Sequence, residues 1–137
     1  MPSAPGATRR EARERALSLC YEHDVRHGSG AEVLADLPVA PDPFVVTLVL
    51  GIDEHRDEID ALLREYSQHW SLERMPFVDR AILRVGCYEL GWGDLPTGVV
   101  INEAVELAKQ YSTAESGRFV NGLLSRIAEQ LRKAPAR

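Results

Sequence analysis

Long apolar runs are missing from this sequence. No uninterrupted hydrophobic stretch among its 137 residues approaches the roughly 18 that a membrane-crossing helix needs. The N-terminal segment also lacks the apolar core of an export signal. The expectation is a cytoplasmic protein with no membrane contact. Cysteine is scarce as well: Cys20 and Cys87 are the only two, each inside an apolar helical pattern and neither in a CxxC or Cys/His metal spacing. Two buried, reduced thiols are expected, not a disulfide framework or a metal centre. Alternating strand patterns do not occur at useful length, so the fold class is all-α. The glycine pairs Gly28/Gly30 and Gly91/Gly93 have neither a Lys-Ser/Thr ending nor a preceding strand, which excludes a phosphate loop. No nucleophile has a recognisable base beside it. His23-Asp24-Val25-Arg26-His27 approaches the zinc-protease spacing, but Asp is one carbon shorter than the required Glu and Gly28 ends the helix at once. These absences argue against an enzyme, and no cofactor or metal is expected.

What is present reads as an ordinary globular chain, 45% hydrophobic and 27% charged. A chain of this length buries roughly two-thirds of its unfolded surface, enough for one core. The net charge of −5 conceals an asymmetry. Arg9, Arg10, Arg13 and Arg15 outnumber Glu11 and Glu14 in the first 15 residues, making a basic tip on an acidic body.

Residues 1–7, with Pro2, Pro5 and Gly6, are expected to form a disordered arm. Residues 8–133 should form a single helical domain, followed by a flexible tail over 134–137. Thr8 and Glu11 suit a capping box, and Ala12, Ala16, Leu19 and Cys20 continue one buried stripe to about His27. A short helical turn follows over 31–36. The pattern then predicts a long helix over 44–66, bent near Gly51, and a short turn over 71–74 capped by Ser71. Pro76 opens a helix reaching Leu90, where Val78, Ile82, Val85 and Leu90 point inward. Trp92, between two glycines, is expected to be exposed. Thr97 or Gly98 opens a helix to Lys109, and the last begins near Ala114 with Phe119, Val120, Leu123, Leu124, Ile127 and Leu131 as its apolar stripe.

Arg9, Arg10 and Arg13 fall within about 100° of arc on a helix. Guanidinium groups bond phosphates bidentately and stack on exposed bases, so this face suits single-stranded RNA. Interleaved with Glu11 and Glu14, it equally suits a salt-bridged solvent face. Glu103 and Glu106 at i, i+3 suit a solvated face or a partner surface.

Three longer motifs narrow the choice. Val78-Asp79-Arg80-Ala81-Ile82-Leu83-Arg84-Val85 with Tyr88-Glu89-Leu90, then Val100-Ile101-Asn102-Glu103-Ala104-Val105-Glu106-Leu107-Ala108-Lys109, then Ser116 with Phe119-Val120-Asn121-Gly122-Leu123-Leu124, follow one another at close spacing. Together with the N-terminal Arg-Arg-Glu-Ala-Arg-Glu run and Leu19-Cys20-Tyr21, they resemble the NusB family over essentially the whole chain. Residues 28–43 match least.

The resemblance implies a bundle of about seven helices in two subdomains and a role in processive antitermination of ribosomal RNA transcription. It also implies boxA-type RNA and the ribosomal protein NusE as partners, acting on the RNA polymerase elongation complex with other Nus factors. By match to the family's motifs, Arg9, Arg10, Arg13 and Arg118 would contact phosphates, and Tyr21 and Phe119 would reach bases. Phe119 equally fits the core stripe of its helix. Glu115 lies near that surface. Tyr88, Glu89, Glu103 and Glu106 would face NusE, their acidity matching a basic ribosomal protein. On that reading Glu89→Lys would impair partner binding and leave helicity intact. Asn102 and Asn121 are expected to cap or brace helices. Three alternatives stay open. One is a protein–protein adaptor of the same fold, possible as a homodimer, with little RNA affinity. Another is a recruiting module of the kind fused to RNA methyltransferases, although no methyl-donor segment is present. The third is a metal hydrolase built on His23 and His27.

Overall fold

The computed structural model describes residues 9–26, 28–68 and 70–132. The arm over 1–7, Thr8, His27 and the tail over 134–137 lie outside the described residues. Seven α-helices are present among those described: α1 Arg9–Arg26, α2 Gly30–Ala35, α3 Pro43–Glu54, α4 Arg56–Tyr66, α5 Phe77–Trp92, α6 Thr97–Tyr111 and α7 Ala114–Leu131.

Local chemistry sets the helix starts. Ser29 caps α2 in a full capping box: its hydroxyl accepts from the Glu32 N–H at 3.1 Å, and the Glu32 carboxylate accepts from the Ser29 N–H at 3.1 Å. The Asp42 carboxylate accepts from the Phe44 N–H at 2.7 Å, with Pro43 in the first turn of α3. The Thr113 hydroxyl accepts from the Ser116 N–H at 2.9 Å and opens α7. Ser71 makes no side-chain cap bond. The short 3-10 turn Leu72–Arg74 is closed by backbone bonds instead, Arg74 N–H to Ser71 C=O at 3.0 Å and Met75 N–H to Leu72 C=O at 3.2 Å.

The long helix expected over 44–66 is two helices. The break falls at His55, whose backbone (φ −103°, ψ 18°) ends α3 and precedes α4. Gly51 has another role: a Cβ there would overlap the ring of Tyr88 on α5. It therefore marks a close approach, not a bend.

Helix α5 is the centre of the bundle and packs against α1, α3, α4, α6 and α7. Ala81, Ile82, Leu83, Val85, Cys87 and Leu90 are all buried on it, so its apolar surface runs round the axis and not along one stripe. Gly86 lets α7 approach closely, because a Cβ there would come within 2.7 Å of the Leu124 side chain. Leu123, Leu124, Ile127, Leu48, Ile52, Ile59 and Leu63 fill the remaining core. Cys20 and Cys87 are buried and unpaired, and burial pushes both thiols up to about 12. Asn102 and Asn121 differ from expectation: both are exposed, and Asn121 makes only a marginal 3.5 Å contact with the Ser125 hydroxyl.

Candidate nucleic-acid interface

The N-terminal turns of α1 carry the arginines, and the structure gives each a separate occupation. The Arg9 guanidinium lies 4.0 Å over the Phe44 ring, with the residue exposed. Arg10 bonds both oxygens of Glu103 on α6, Nε to Oε1 at 3.1 Å and Nη2 to Oε2 at 2.5 Å, while its side chain stays 45% exposed. Arg13 is 3% exposed and grips both oxygens of Glu89 on α5 at 2.8 Å. Its Nη1 also stands 3.8 Å from Glu103. The hydrogen bond from Arg10 holds the Glu103 carboxyl below the usual range, and the bond to Glu89 raises Arg13.

Residues assigned from the sequence to two different partners thus meet inside the chain. Arg10 and Arg13 are joined to Glu103 and Glu89, and the network fastens α1 to α5 and α6. In this conformation the burial of Arg13 closes its guanidinium to a phosphate. Arg10 can meet one by exchanging Glu103 for it. Glu106 is half-buried, 3.6 Å from Lys109. Tyr88 is half-buried and stacks with Trp92 at 5.9 Å and 12°. Trp92, expected to be exposed, is half-buried because it also stacks on His55 at 4.3 Å.

A second cluster lies further along α1. Tyr21 is 42% exposed, and its ring meets Phe77 edge-on at 6.1 Å. The Arg80 guanidinium covers Phe77 at 4.5 Å. Tyr21, Leu17, Val78 and Tyr111 line a shallow groove of about 380 Å³ between α1, α5 and α6. The Tyr111 hydroxyl donates to Glu14 at 2.7 Å, which ties α6 to α1 across that groove.

A third cluster opens at the start of α7. Arg118 is exposed and has no ion-pair or hydrogen-bond partner among the described residues. Phe119 is half-buried against the core, and its ring centroid lies 5.4 Å from that of Trp70 at an angle of 57°. The ring roots in the core, as its helical stripe predicts, and also lines a pocket with Trp70 and Arg118.

Sequence reasoning missed Trp70, Phe77 and Tyr111, three of the four aromatic side chains among the exposed large hydrophobics, with Tyr21 the fourth. Their exposure follows from helix packing, which periodicity does not report. It also missed Arg132, whose guanidinium donates to the carbonyls of Leu90 at 2.9 Å and Glu89 at 3.1 Å and to the Thr97 hydroxyl at 3.2 Å. Both carbonyls lie in the last turn of α5, where that of Glu89 also accepts from the Gly93 N–H at 3.1 Å, so Arg132 acts as a cap in trans.

Beneath these surfaces lies a buried ionic cluster. Arg84 bonds both oxygens of Asp60, at 2.9 and 3.0 Å, and its Nη1 stands 3.3 Å from Asp24, as does Arg80 Nε. Beside it, His23 Nδ1 faces Arg56 Nη2 at 3.1 Å and Nε2 faces Asp53 at 3.4 Å. Burial first and Arg56 second lower the His23 pKa, consistent with a neutral ring that accepts from Arg56. Both ring nitrogens are then occupied, and no group of three His, Cys, Asp or Glu among the described residues is placed to hold a metal.

An all-α scaffold with cationic and aromatic surface clusters defines a binding protein. The NusB family profile matches residues 10–129. The chain is 48% identical over 128 residues to the transcription antitermination protein NusB of Kineococcus radiotolerans, covering 90% of this chain and 94% of that protein. It is 48% identical to that of Thermobifida fusca, covering 90% of each. Among solved structures, T. maritima NusB superposes with a TM-score of 0.79 at 35% identity, covering 95% of this chain and 94% of that one. A chain from the crystal structure of antitermination factors NusB and NusE in complex with double-stranded RNA gives 0.76 at 30% identity, covering 89% and 96%. The chain belongs to the NusB family of transcription antitermination proteins, which are not enzymes.

Proposed function

We propose that this protein binds boxA-type single-stranded RNA together with the ribosomal protein NusE, and so supports processive transcription of ribosomal RNA by the cytoplasmic polymerase and other Nus factors. The observation that carries this reading is the run of neighbouring surface residues from Arg10 to Arg118. Arg10 leads to Glu14 on the same helix, Glu14 to Tyr111, Tyr111 to the groove of Tyr21, and Thr113, two residues on, to the pocket of Phe119. A cation stands at each end of this run, Arg10 and Arg118, and the rings of Tyr21, Tyr111 and Phe119 lie between them, a composition that suits single-stranded nucleic acid. A similar structure of NusB and NusE in complex with double-stranded RNA supports NusE and RNA as the classes of partner.

The engagement of Arg10 and Arg13 by Glu103 and Glu89 favours a second reading, a protein-only adaptor that forms a homodimer or holds NusE through Tyr88 and Glu106. The RNA reading makes Arg10 and Arg118 phosphate ligands and Arg13 a structural residue. Arg10→Ala and Arg118→Ala are each expected to flatten the log–log salt dependence of RNA binding by about 0.7. Glu103→Gln, which releases Arg10 from its ion pair, is expected to tighten RNA binding several-fold at low salt. Fluorescence anisotropy with a labelled boxA RNA reads all three variants. Unchanged slopes in both alanine variants would support the protein-only reading.

A further inference from the structure

Of Arg9, Arg10 and Arg13, Arg9 alone keeps its donors uncommitted among the described residues. Arg10 is bonded to Glu103 and Arg13 to Glu89. Arg9 is nevertheless placed. Its guanidinium lies 4.0 Å over the centroid of the Phe44 ring, and that of Arg13 lies 5.4 Å from the same centroid. One ring on α3 therefore underlies two cations on α1. The ring itself is fixed by its own helix. The Asp42 carboxylate caps α3 by accepting from the Phe44 N–H at 2.7 Å, and Pro43 stands in the first turn. Val45 and Leu48 root that helix in the core, and the half-buried Phe44 side chain packs against the same core.

A guanidinium on a ring face is held by its charge and its flat surface, which leaves its N–H donors for other acceptors. For a long, exposed side chain the ring also removes rotamer freedom that would otherwise be lost on binding. Phe44 thus gives Arg9 what Glu103 gives Arg10, a fixed orientation, without using a donor. Beside the pair is a cavity of about 230 Å³, shared with Tyr88, Trp92 and Asp94. It is smaller than the roughly 300–1,000 Å³ of small-ligand sites, and the Asp94 carboxylate disfavours a phosphate inside it. An anion therefore meets Arg9 from the solvent side, where the residue is exposed.

We propose that Phe44 is a positioning residue for RNA binding, acting through Arg9, whose guanidinium its ring holds ready for a phosphodiester. This deepens the RNA reading above and rests on it.

The test uses the full chain and a labelled boxA RNA, with and without NusE. Phe44→Leu keeps an apolar side chain against the core and removes the ring face. It is expected to weaken RNA binding roughly 2- to 5-fold, the range for one cation–π contact at an exposed site. Phe44→Tyr, which keeps the ring face, is expected to restore the parent affinity. In an Arg9→Ala background Phe44→Leu is expected to leave affinity unchanged, because no cation remains there for the ring to place. Circular dichroism should show the same helix content throughout, and Phe44→Met gives the same test should the leucine variant lose helicity. An equal loss in both backgrounds would overturn the proposal and assign Phe44 to packing or to Arg13. Unchanged binding in Phe44→Leu would overturn it and leave the RNA reading intact. Tighter binding would overturn it as well, since the ring would then withhold Arg9 from RNA. If the parent bound no RNA with or without NusE, the RNA reading itself would fail, and the proposal with it.

Discussion

Glu89→Ala is expected to lower the unfolding free energy by about 3–5 kcal/mol, the usual consequence of stranding a buried charge. Arg13 is 3% exposed and Glu89 5%, and their two bonds are each 2.8 Å. Removing the carboxylate leaves a guanidinium that cannot shed its proton and has only Glu103, at 3.8 Å, as a remaining charge. A domain of ordinary stability holds about 5–15 kcal/mol, so the loss is a large share of it. Urea denaturation followed by circular dichroism measures it. A loss below about 1 kcal/mol would place the pair among solvated surface bridges. The burial also revises the expectation that Glu89→Lys spares the helices: it sets two cations against each other in the bundle, and any loss of partner binding would follow from unfolding.

The second large effect belongs to Asp60. Asp60→Ala removes the bidentate partner of Arg84, which is 6% exposed, and leaves Asp24 at 3.3 Å as its nearest carboxylate. The cluster joins α1, α4 and α5, so its disruption is expected to cost about 3–5 kcal/mol. Replacing both partners, Asp60→Leu with Arg84→Met, should recover most of the loss, because the desolvation of both charges disappears with their attraction. Recovery is read from the urea midpoint. A double variant as unstable as Asp60→Ala would show that the cluster's shape, not its charge, holds these helices together.

The sequence made the bundle largely legible, because each helix carries its own apolar period and its own stop signal. Pro43, Pro76 and Gly93 after α5 punctuate the chain at positions any reader can find. The break at His55 was not legible, since apolar residues continue in helical phase on both sides of it. Contacts between distant elements were harder still. Arg10, Arg13, Glu89 and Glu103 were each visible as charges. Pairing Arg13 with Glu89 spans 76 positions and depends on how α1 lies on α5. Spacing shows that Arg10 and Arg13 share a face, but not what that face meets. Trp92 was misjudged for the same reason: its flanking glycines suggest exposure, and His55, on which it stacks, comes from the junction of α3 and α4. The RNA candidates Arg118 and Phe119 were found through the family motif. Trp70 was passed over because a single tryptophan in a loop carries no period.

The most direct test is the binding of a labelled boxA RNA to this protein, with and without its NusE, across a salt series. The prediction is binding that weakens steeply with salt and tightens when NusE is added, since NusE would share the RNA and draw on the acidic face beside Arg10. Folded protein that binds no RNA under either condition would contradict the RNA-binding role.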